Sequence, residues 1–340
     1  MIDLSTIDDE KLSIGMRLLR DAILAKGWVV QVPYVGSSHC FIDRKNGREP
    51  LHIFSSTPPG SSWPAGHIAN DKFATYVLLN EQGINQPETI SISDSSFGSD
   101  IAQAKQLIER HGKIVIKPLD GGHGQGITVN IEAEKELLDA IKYARQFSRL
   151  GSDIVIAQQM LKGLLHDARI IVIGGEFVAA VKRIPAAVTG DGKKNLLQLI
   201  EFENSTFRGE PYYAKLAKIN TEAAKKFLGE RINYVPAKSE RVTVMGIANY
   251  GQGGELVDIT DDIPSWLSKE AEKIAHITGL PVCGVDYLSL EPLSQATTPG
   301  DFSVFCIEVN KCPSLAIHDC PTIGKDRGAV KAYVEYLETI

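Results

Sequence analysis

"KIVIKPLDGGHGQGITVNI", residues 113–131, decides the fold more than any other stretch of this sequence. An alternating apolar segment ends at Lys117 and Pro118, a run rich in glycine follows, and "ITVNI" then alternates with β-branched residues. The order is therefore strand, glycine-rich loop, strand. Such a loop can fold over phosphates and offer backbone N–H groups that no Cβ atom hinders.

Two familiar phosphate motifs do not fit this stretch. A P-loop needs G-x-x-x-x-G-K-[ST] before a helix, and the dinucleotide fingerprint needs G-x-G-x-x-G before a helix. Here no Lys-Ser or Lys-Thr follows the glycines, and the next element is predicted to be a strand. Lys117, at the end of the first strand, could reach a phosphate as a point charge. The alternative is a plain glycine-rich hairpin with a surface lysine.

A second group of polar residues lies far downstream, on two apolar segments. "GVDYLSL" carries Asp286, and "FCIEVN" carries Glu308 and Asn310, two residues apart and so on one face of a strand. If the two segments pair as antiparallel strands, Asp286 falls close to opposite Glu308. Like charges facing each other are unfavourable, so we expect a cation there, and oxygen ligands suit Mg²⁺ or Mn²⁺. The alternative is a solvated face, which the apolar flanks argue against.

The bulk composition is that of an ordinary globular protein. The chain has 340 residues, 43% hydrophobic and 23% charged, with a net charge of −6, which predicts about two or three lobes and gives no support to nucleic-acid binding. The N-terminus has neither a basic nor an apolar leader region and no apolar run is long enough for a bilayer, so we expect no secretory signal and no membrane span.

The cysteines indicate a reducing compartment, and we expect a cytoplasmic protein. There are five, with no C-x-x-C, which favours free thiols over a disulfide framework. Cys312, His318 and Cys320 are close in sequence, but they lack both a fourth ligand and a usual zinc spacing, so we do not assign a zinc site.

Strands and helices alternate along the chain but hairpins are frequent, which favours α+β lobes. We expect a hairpin turning at Gly174 and Gly175, a linker at "SSTPPGSSWPAG", and a following helix capped by Asn70. We divide the chain into a short N-terminal segment (1–70), a small lobe with the glycine-rich flap (71–161) and a large lobe with the metal site (162–340).

The order of these motifs resembles the ATP-grasp superfamily over about residues 70–330. The stretches "RIPAAVTGDGKKNLLQLIEFEN", "NYGQGGELVDITDDI" and "EVNKCPSLAIH" resemble the ATP-grasp domain of cyanophycin synthetase, and the glutathione synthetase branch is similar. No Mur-ligase-like domain follows in this sequence, so we do not expect a cyanophycin synthetase itself.

The resemblance implies an ATP-grasp fold, in which two α+β lobes hold ATP and a short N-terminal α/β segment precedes them. It implies a carboxylate–amine ligase that uses ATP and Mg²⁺ or Mn²⁺, forms an acyl-phosphate and yields an amide bond. The substrates implied are an amino acid or short peptide, with no nucleic acid and no membrane, and a homodimer is common in the family. Two alternatives stay open: an ATP-dependent kinase on the same fold, and a nucleotide-binding regulatory module without turnover.

The resemblance also assigns roles to single residues. Lys72 and Lys117 match the lysines that contact the α and β phosphates, although Lys72 could also be a solvated residue in the first turn of a helix. Arg169 and Arg183 match arginines near the transferred phosphoryl group and the acyl-phosphate; the alternative is ordinary arginines on a surface strand. Asp286, Glu308 and Asn310 match the metal ligands.

The remaining assignments concern the flap and the base and ribose contacts. The flap comprises Gly121, Gly122, His123, Gly124 and Gly126. The hinge that binds adenine mainly through backbone groups comprises Gln158, Gln159, Met160 and Leu161. The family usually has Glu where Gln158 stands, which leaves the side-chain contact open. Either His166 or Asp167 is expected at the ribose.

Overall fold

A computed structural model describes residues 1–121, 124–148, 151–163, 165–209, 216–246, 248–296, 298–299 and 303–340. Gly122 and His123 of the predicted flap lie outside the described residues. The backbone divides into two compact units, each built from segments distant in sequence. The first unit comprises Met1–Gly60, Asp167–Ile263 and Cys312–Ile340, and the second comprises Ser61–His166 and Pro264–Lys311. The division into domains at 1–70, 71–161 and 162–340 stays a prediction.

Helices and antiparallel sheets are both abundant, which confirms the predicted α+β class. Within the described residues the α-helices are α1 Ile14–Ala25, α2 Trp63–Asn70, α3 Lys72–Glu81, α4 Phe97–His111, α5 Glu134–Arg145, α6 Leu196–Thr206, α7 Thr221–Leu228, α8 Ser265–Thr278, α9 Ala316–Asp319 and α10 Ala329–Thr339. The strands are β1 Ile2–Asp3, β2 Val29–Val32, β3 His39–Asp43, β4 Leu51–Phe54, β5 Thr89–Ile92, β6 Ile114–Pro118, β7 Thr128–Ile131, β8 Val155–Gln159, β9 His166–Ile173, β10 Glu176–Ile184, β11 Ala187–Thr189, β12 Arg241–Thr243, β13 Glu255–Asp258, β14 Val282–Ser289 and β15 Val304–Asn310. None of the described helices is long and apolar enough to cross a membrane.

The first unit contains three antiparallel arrangements of strands: a meander β1-β2-β3-β4, the strands β13-β10-β9, and the pair β11-β12. The hairpin between β9 and β10 turns at Gly174 (φ 63°) and Gly175 (φ 86°), as predicted. Glycine suits both positions because other residues rarely adopt a positive φ. This hairpin carries both predicted arginines.

The second unit contains the antiparallel sheet β5-β8-β6-β7 and the hairpin of β14 and β15. Strands β6 and β7 flank the glycine-rich stretch and pair with each other, so the predicted order of strand, loop and strand is confirmed. Helices α4 and α5 bury their apolar faces against this sheet. On α5 this face includes Leu137, Ile141 and Ala144, which follow helical spacing.

The predicted linker and helix start are wrong by a few residues. Part of "SSTPPGSSWPAG" begins helix α2, where the side chain of Ser62 accepts a hydrogen bond from Ala65 N. Asn70 ends this helix, and Asp71 caps α3 instead, because its Oδ1 accepts from two backbone N–H groups of the first turn. Helix α8 ends at Thr278, and Gly279 follows with a φ of 69°.

Candidate active site

Lys72 is the first residue of α3, and the end of its side chain contacts two different parts of the second unit. Its Nζ donates to the carbonyl of Gly121 at 2.7 Å and lies 3.4 Å from Glu308 Oε1. Its backbone N–H donates to Leu119 O at 3.2 Å, and its side chain is 16% exposed. The interpretation as a solvated lysine therefore does not hold. The ammonium group links the start of the glycine loop to the acidic strand β15.

Lys117 lies on β6, one residue before the end of the strand. Its Nζ donates to Gln158 Oε1 at 2.5 Å. Burial is the largest cause of a pKa lowered to about 8; the Glu308 carboxylate opposes this shift and the charge of Lys72 adds to it. Both predicted lysines thus lie within electrostatic reach of each other and of Glu308.

Gln158 connects Lys117 to a residue that the sequence did not single out. Gln158 lies on β8 directly opposite Thr89 on β5, and its Nε2 donates to Thr89 Oγ1 at 2.9 Å. The Thr89 hydroxyl in turn donates to Pro87 O at 2.8 Å. The alternation of "TISI" after Pro87 indicates a strand, but the partner of that strand could not be read locally.

The predicted hinge follows the end of β8. Gln159 N donates to Glu88 O at 2.8 Å and Met160 N donates to Lys113 O at 3.2 Å. These two N–H groups are therefore engaged within the protein. A base that contacts the backbone here would therefore use the carbonyl groups of this stretch or the backbone of Leu161. The side chain of Leu161 is buried.

The two predicted acidic ligands meet as expected. In the ladder of β14 and β15, Asp286 pairs with Glu308 and Gly284 pairs with Asn310, so the prediction that Asp286 falls opposite Glu308 is confirmed. Asp286 is 2% exposed, and a register shift in the ladder follows immediately after it. Bulges of this kind are common beside functional sites because they redirect side chains.

The chemistry of these side chains fits a magnesium or manganese ion. Two carboxylates and one amide provide few protein ligands, and Mg²⁺ commonly completes its coordination with water and phosphate oxygens. Asn310 Nδ2 is buried and has no hydrogen-bond partner among the described residues. The described residues contain no group of three or more His, Cys, Asp or Glu side chains that could hold a metal, so this site offers two carboxylates and an amide only.

The described part of the flap requires glycine at two positions. A Cβ on Gly121 would lie 2.3 Å from Pro118 Cγ, and one on Gly126, where φ is 72°, would lie 2.9 Å from Phe147. Gly124 also has a positive φ, of 77°. These requirements explain Gly121 and Gly126 by local geometry, and neither residue has a side chain of its own to cover its backbone.

Arg183 and Asp167 form an ion pair in the first unit. They are directly opposite each other in the ladder of β9 and β10, and Arg183 Nε and Nη2 donate to Asp167 Oδ1 at 2.8 and 2.5 Å. Arg169 lies two residues beyond Asp167 on β9 and therefore shares its face. His166 precedes Asp167 on the same strand and points to the opposite face, which separates the two ribose candidates.

Three of the predicted residues line one cleft in the second unit. Lys72, Gln158 and Glu308 share this cleft with Ala69, Tyr76, Ile156 and other side chains of α3, β8 and β15. The structure therefore brings residues from distant parts of the sequence into one small polar site with apolar walls, which is the usual character of a ligand site.

Comparisons with known proteins indicate an ATP-grasp domain. Residues 87–210 match the family model described as "Prokaryotic glutathione synthetase, ATP-grasp domain". The cyanophycin synthetase of Crocosphaera subtropica is 29% identical over 342 residues, which cover 98% of this chain and 38% of that protein. The glutathione biosynthesis bifunctional protein GshAB of Desulfotalea psychrophila is 30% identical over 262 residues, covering 76% of this chain and 32% of that protein.

A solved structure shares the fold. The bifunctional glutathione synthetase from Pasteurella multocida superposes with a TM-score of 0.69 at 24% identity, covering 96% of this chain and 44% of that one. The chain therefore has the ATP-grasp fold that the sequence motifs predicted. Residues 87–210 match an ATP-grasp domain of the prokaryotic glutathione synthetase type. The chain spans less than half the length of each of these relatives.

Proposed function

We propose that the chain is an ATP-dependent carboxylate–amine ligase that makes an amide bond on an amino acid or short peptide. The observation that supports this most is the meeting of two lysines with two facing carboxylates in the second unit: Lys72 Nζ is 3.4 Å from Glu308, and Glu308 pairs with Asp286. A site of this kind suits a triphosphate with a divalent ion.

Phosphoryl transfer depends mainly on positioning and on neutralising charge, so cations should gather around the phosphates. In the proposed site Lys72 and Lys117 contact the α and β phosphates, and the glycine loop covers them with backbone N–H groups. Asp286, Glu308 and Asn310 would hold Mg²⁺ or Mn²⁺, which when bound would neutralise charge on the phosphate oxygens.

In the proposed reaction a substrate carboxylate oxygen attacks the γ-phosphorus, and the bond to the β–γ bridging oxygen breaks to release ADP. The nitrogen of an amine then attacks the acyl carbon, the bond from that carbon to the phosphate oxygen breaks, and the nitrogen loses a proton to phosphate or solvent. The products are an amide, ADP and phosphate. Arg169 and Arg183 are proposed to stabilise the transferred phosphoryl group, with Arg183 oriented by Asp167. No nucleophilic side chain is needed in this scheme.

The base and ribose are assigned to the hinge and its continuation. Adenine is proposed to lie against the stretch from Gln158 to Leu161. The ribose is proposed to contact Asp167 or His166. The names of the relatives fit amide-forming chemistry, and because the chain covers only part of their length we propose the substrates by class alone. The five free cysteines support a reducing, cytoplasmic setting, and a homodimer is proposed by likeness to the family.

The test is a screen of ADP release with carboxylates and amines offered in pairs, with mass detection of products. The proposal expects ADP release that requires both partners and a product equal in mass to their sum less one water. A phosphorylated product formed from one partner would indicate the kinase instead. Nucleotide binding without ADP release for any pair would indicate the regulatory module.

A further inference from the structure

The side-chain amide of Gln158 is oriented from two sides. Its Oε1 accepts from Lys117 Nζ at 2.5 Å, and its Nε2 donates to Thr89 Oγ1 at 2.9 Å. An ammonium group can only donate, which requires the oxygen on the side of Lys117. The Thr89 hydroxyl uses its single proton on Pro87 O, a group that can only accept, so towards Gln158 it must act as an acceptor.

A half turn of this amide would break both interactions at once. The NH₂ group would face the Lys117 ammonium, and the oxygen would face the lone pairs of the Thr89 hydroxyl. Thr89 is 4% exposed and Gln158 is 8% exposed, so water could not readily replace the lost partners. The orientation of the amide is therefore set by its hydrogen-bond network.

Gln158 is one of the residues that line the cleft shared by Lys72 and Glu308. An amide oxygen has two lone pairs and can accept from Lys117 and from a ligand together. A purine with a 6-amino group would donate to this oxygen, whereas a purine with a 6-oxo group would set one acceptor against another. A bound phosphate competes with Gln158 for Lys117, and Thr89 is then the partner that still holds the amide.

We propose that Thr89 is a positioning residue for nucleotide specificity, which holds the Gln158 oxygen toward the 6-position of the purine and so selects a 6-amino over a 6-oxo base. This inference rests on the proposed function, because it requires the nucleotide to bind beside Gln158. A glutamate, usual at this position in the family, has two equivalent oxygens and needs no such partner. Here the neutral amide acquires the same selectivity through the hydroxyl of Thr89.

The experiment compares the dissociation constants of ADP and inosine diphosphate, measured by calorimetry on the full chain. These two ligands differ at the 6-position of the base. Thr89→Val removes the hydroxyl at nearly constant volume, and Thr89→Ser keeps it. We expect the preference of the original protein for ADP to fall about tenfold in Thr89→Val and to persist in Thr89→Ser, since one buried polar pairing is lost only in the first.

A second background separates positioning from a purely structural role. In Gln158→Glu the carboxylate has no wrong orientation, so adding Thr89→Val should leave the ratio of the two dissociation constants unchanged. A structural role would weaken both nucleotides equally in both backgrounds and would leave the ratio unchanged in each. The inference thus predicts a change of ratio in the Gln158 background alone.

The outcomes distinguish this inference from the function on which it rests. If folded Thr89→Val binds ADP and keeps the original ratio, the inference is overturned and the proposed function stands. If the original protein binds neither nucleotide, both are overturned. Should Thr89→Val not fold, Thr89→Ala removes the same hydroxyl and is tested by the same ratio of the ADP and inosine diphosphate dissociation constants.

Discussion

Asp286 lies directly opposite Glu308 in the antiparallel ladder of β14 and β15. Asp286 is almost fully buried and the Glu308 side chain is 34% exposed, so water screens this pair of like charges only in part. Lys72, 3.4 Å from Glu308, supplies one compensating charge. Facing carboxylates destabilise a sheet, and the arrangement is understandable if a divalent ion completes the compensation during function.

Removing one of the two facing charges should stop turnover without unfolding the protein. We expect Glu308→Gln to abolish ADP release, because it removes one of the two carboxylate charges that would hold Mg²⁺ and leaves the charge of the phosphates undercompensated. The melting temperature should change little, because the substitution removes both the repulsion expected from Asp286 and the ion pair with Lys72. ADP release and thermal unfolding are measured on the same sample.

Glu222→Gln is the control for this change. Glu222 is 82% exposed and pairs with Lys225 on the surface, so both turnover and melting temperature should match those of the original protein. Normal ADP release in Glu308→Gln would refute the assignment of the metal ligands.

Lys72→Met should weaken nucleotide binding. The substitution keeps much of the apolar stem and removes the ammonium that bonds Gly121 O and pairs with Glu308. A contact of a charged group contributes about 1.5–3 kcal/mol, which corresponds to roughly a ten- to hundredfold rise in the dissociation constant of ADP. Lys105→Met, on a lysine that is 47% exposed, is the matched control and should bind ADP normally. Equal affinity for ADP in both variants would show that Lys72 does not contribute to nucleotide binding.

Lys117 should make both nucleotide binding and stability depend on pH. Its pKa is lowered to about 8 by burial, against about 10.4 for an unfolded lysine. Between these values the unfolded chain binds the extra proton, so the penalty that Lys117 imposes on folding is full below pH 8 and is relieved as the pH rises toward 10. The affinity for ADP should move the other way and fall above pH 8, as the ammonium is lost.

Lys117→Met tests both parts of that expectation. In this variant, the pH dependence that Lys117 adds to the free energy of unfolding and to the affinity for ADP should disappear between pH 8 and 10. The variant retains Glu308 and Lys72, the charged groups that act on Lys117, so their contribution to the pH dependence is the same in both proteins. Slopes identical to those of the original protein would mean that another group titrates.

Gly126→Ala should destabilise the second unit. The added Cβ would meet Phe147 at 2.9 Å in a backbone with a φ of 72°, which combines a steric clash with a strained conformation. We expect a loss of about 1–3 kcal/mol in the free energy of unfolding. Gly98→Ala is the control: that glycine lies in α4 with no heavy atom near its added Cβ, and alanine should stabilise the helix by up to about 1 kcal/mol. A Gly126→Ala protein as stable as Gly98→Ala would contradict the flap geometry.

Arg183→Lys should lower the rate of ADP release while the positive charge is retained. Two guanidinium nitrogens of Arg183 donate to Asp167 Oδ1, and the single amino group of lysine cannot reproduce this orientation. We expect at least about a tenfold loss of kcat with little change in ADP affinity. Arg327→Lys is matched, since Arg327 is also 17% exposed and pairs with aspartates, and it should turn over normally. Equal rates in the two variants would reduce Arg183 to a structural ion pair.

The parts of the site that could be predicted are those set by local pattern. The strands around the glycine loop alternate clearly, and β14 and β15 are strands adjacent in sequence that pair as a hairpin would, so Asp286 could be placed against Glu308. Helix α4 was not predicted, although Ile101, Ala104 and Leu107 give it a buried stripe, because its many polar residues and its glycine obscure the period.

Other features depend on contacts that no local pattern contains. Thr89 and Gln158 are 69 positions apart and meet only because β5 pairs with β8. The start of α3 was displaced by one residue because Asn70 and Asp71 are both good caps, and only the structure shows that α2 already occupies Asn70.

The most direct test of the central claim is the effect of Mg²⁺ on the binding of an ATP analogue that cannot be hydrolysed, measured by calorimetry on the original protein and on Glu308→Gln. The account predicts that Mg²⁺ tightens binding to the original protein and has little effect on the variant. The account would be contradicted if Mg²⁺ did not change the affinity of the original protein, or if it changed the affinity of both proteins equally.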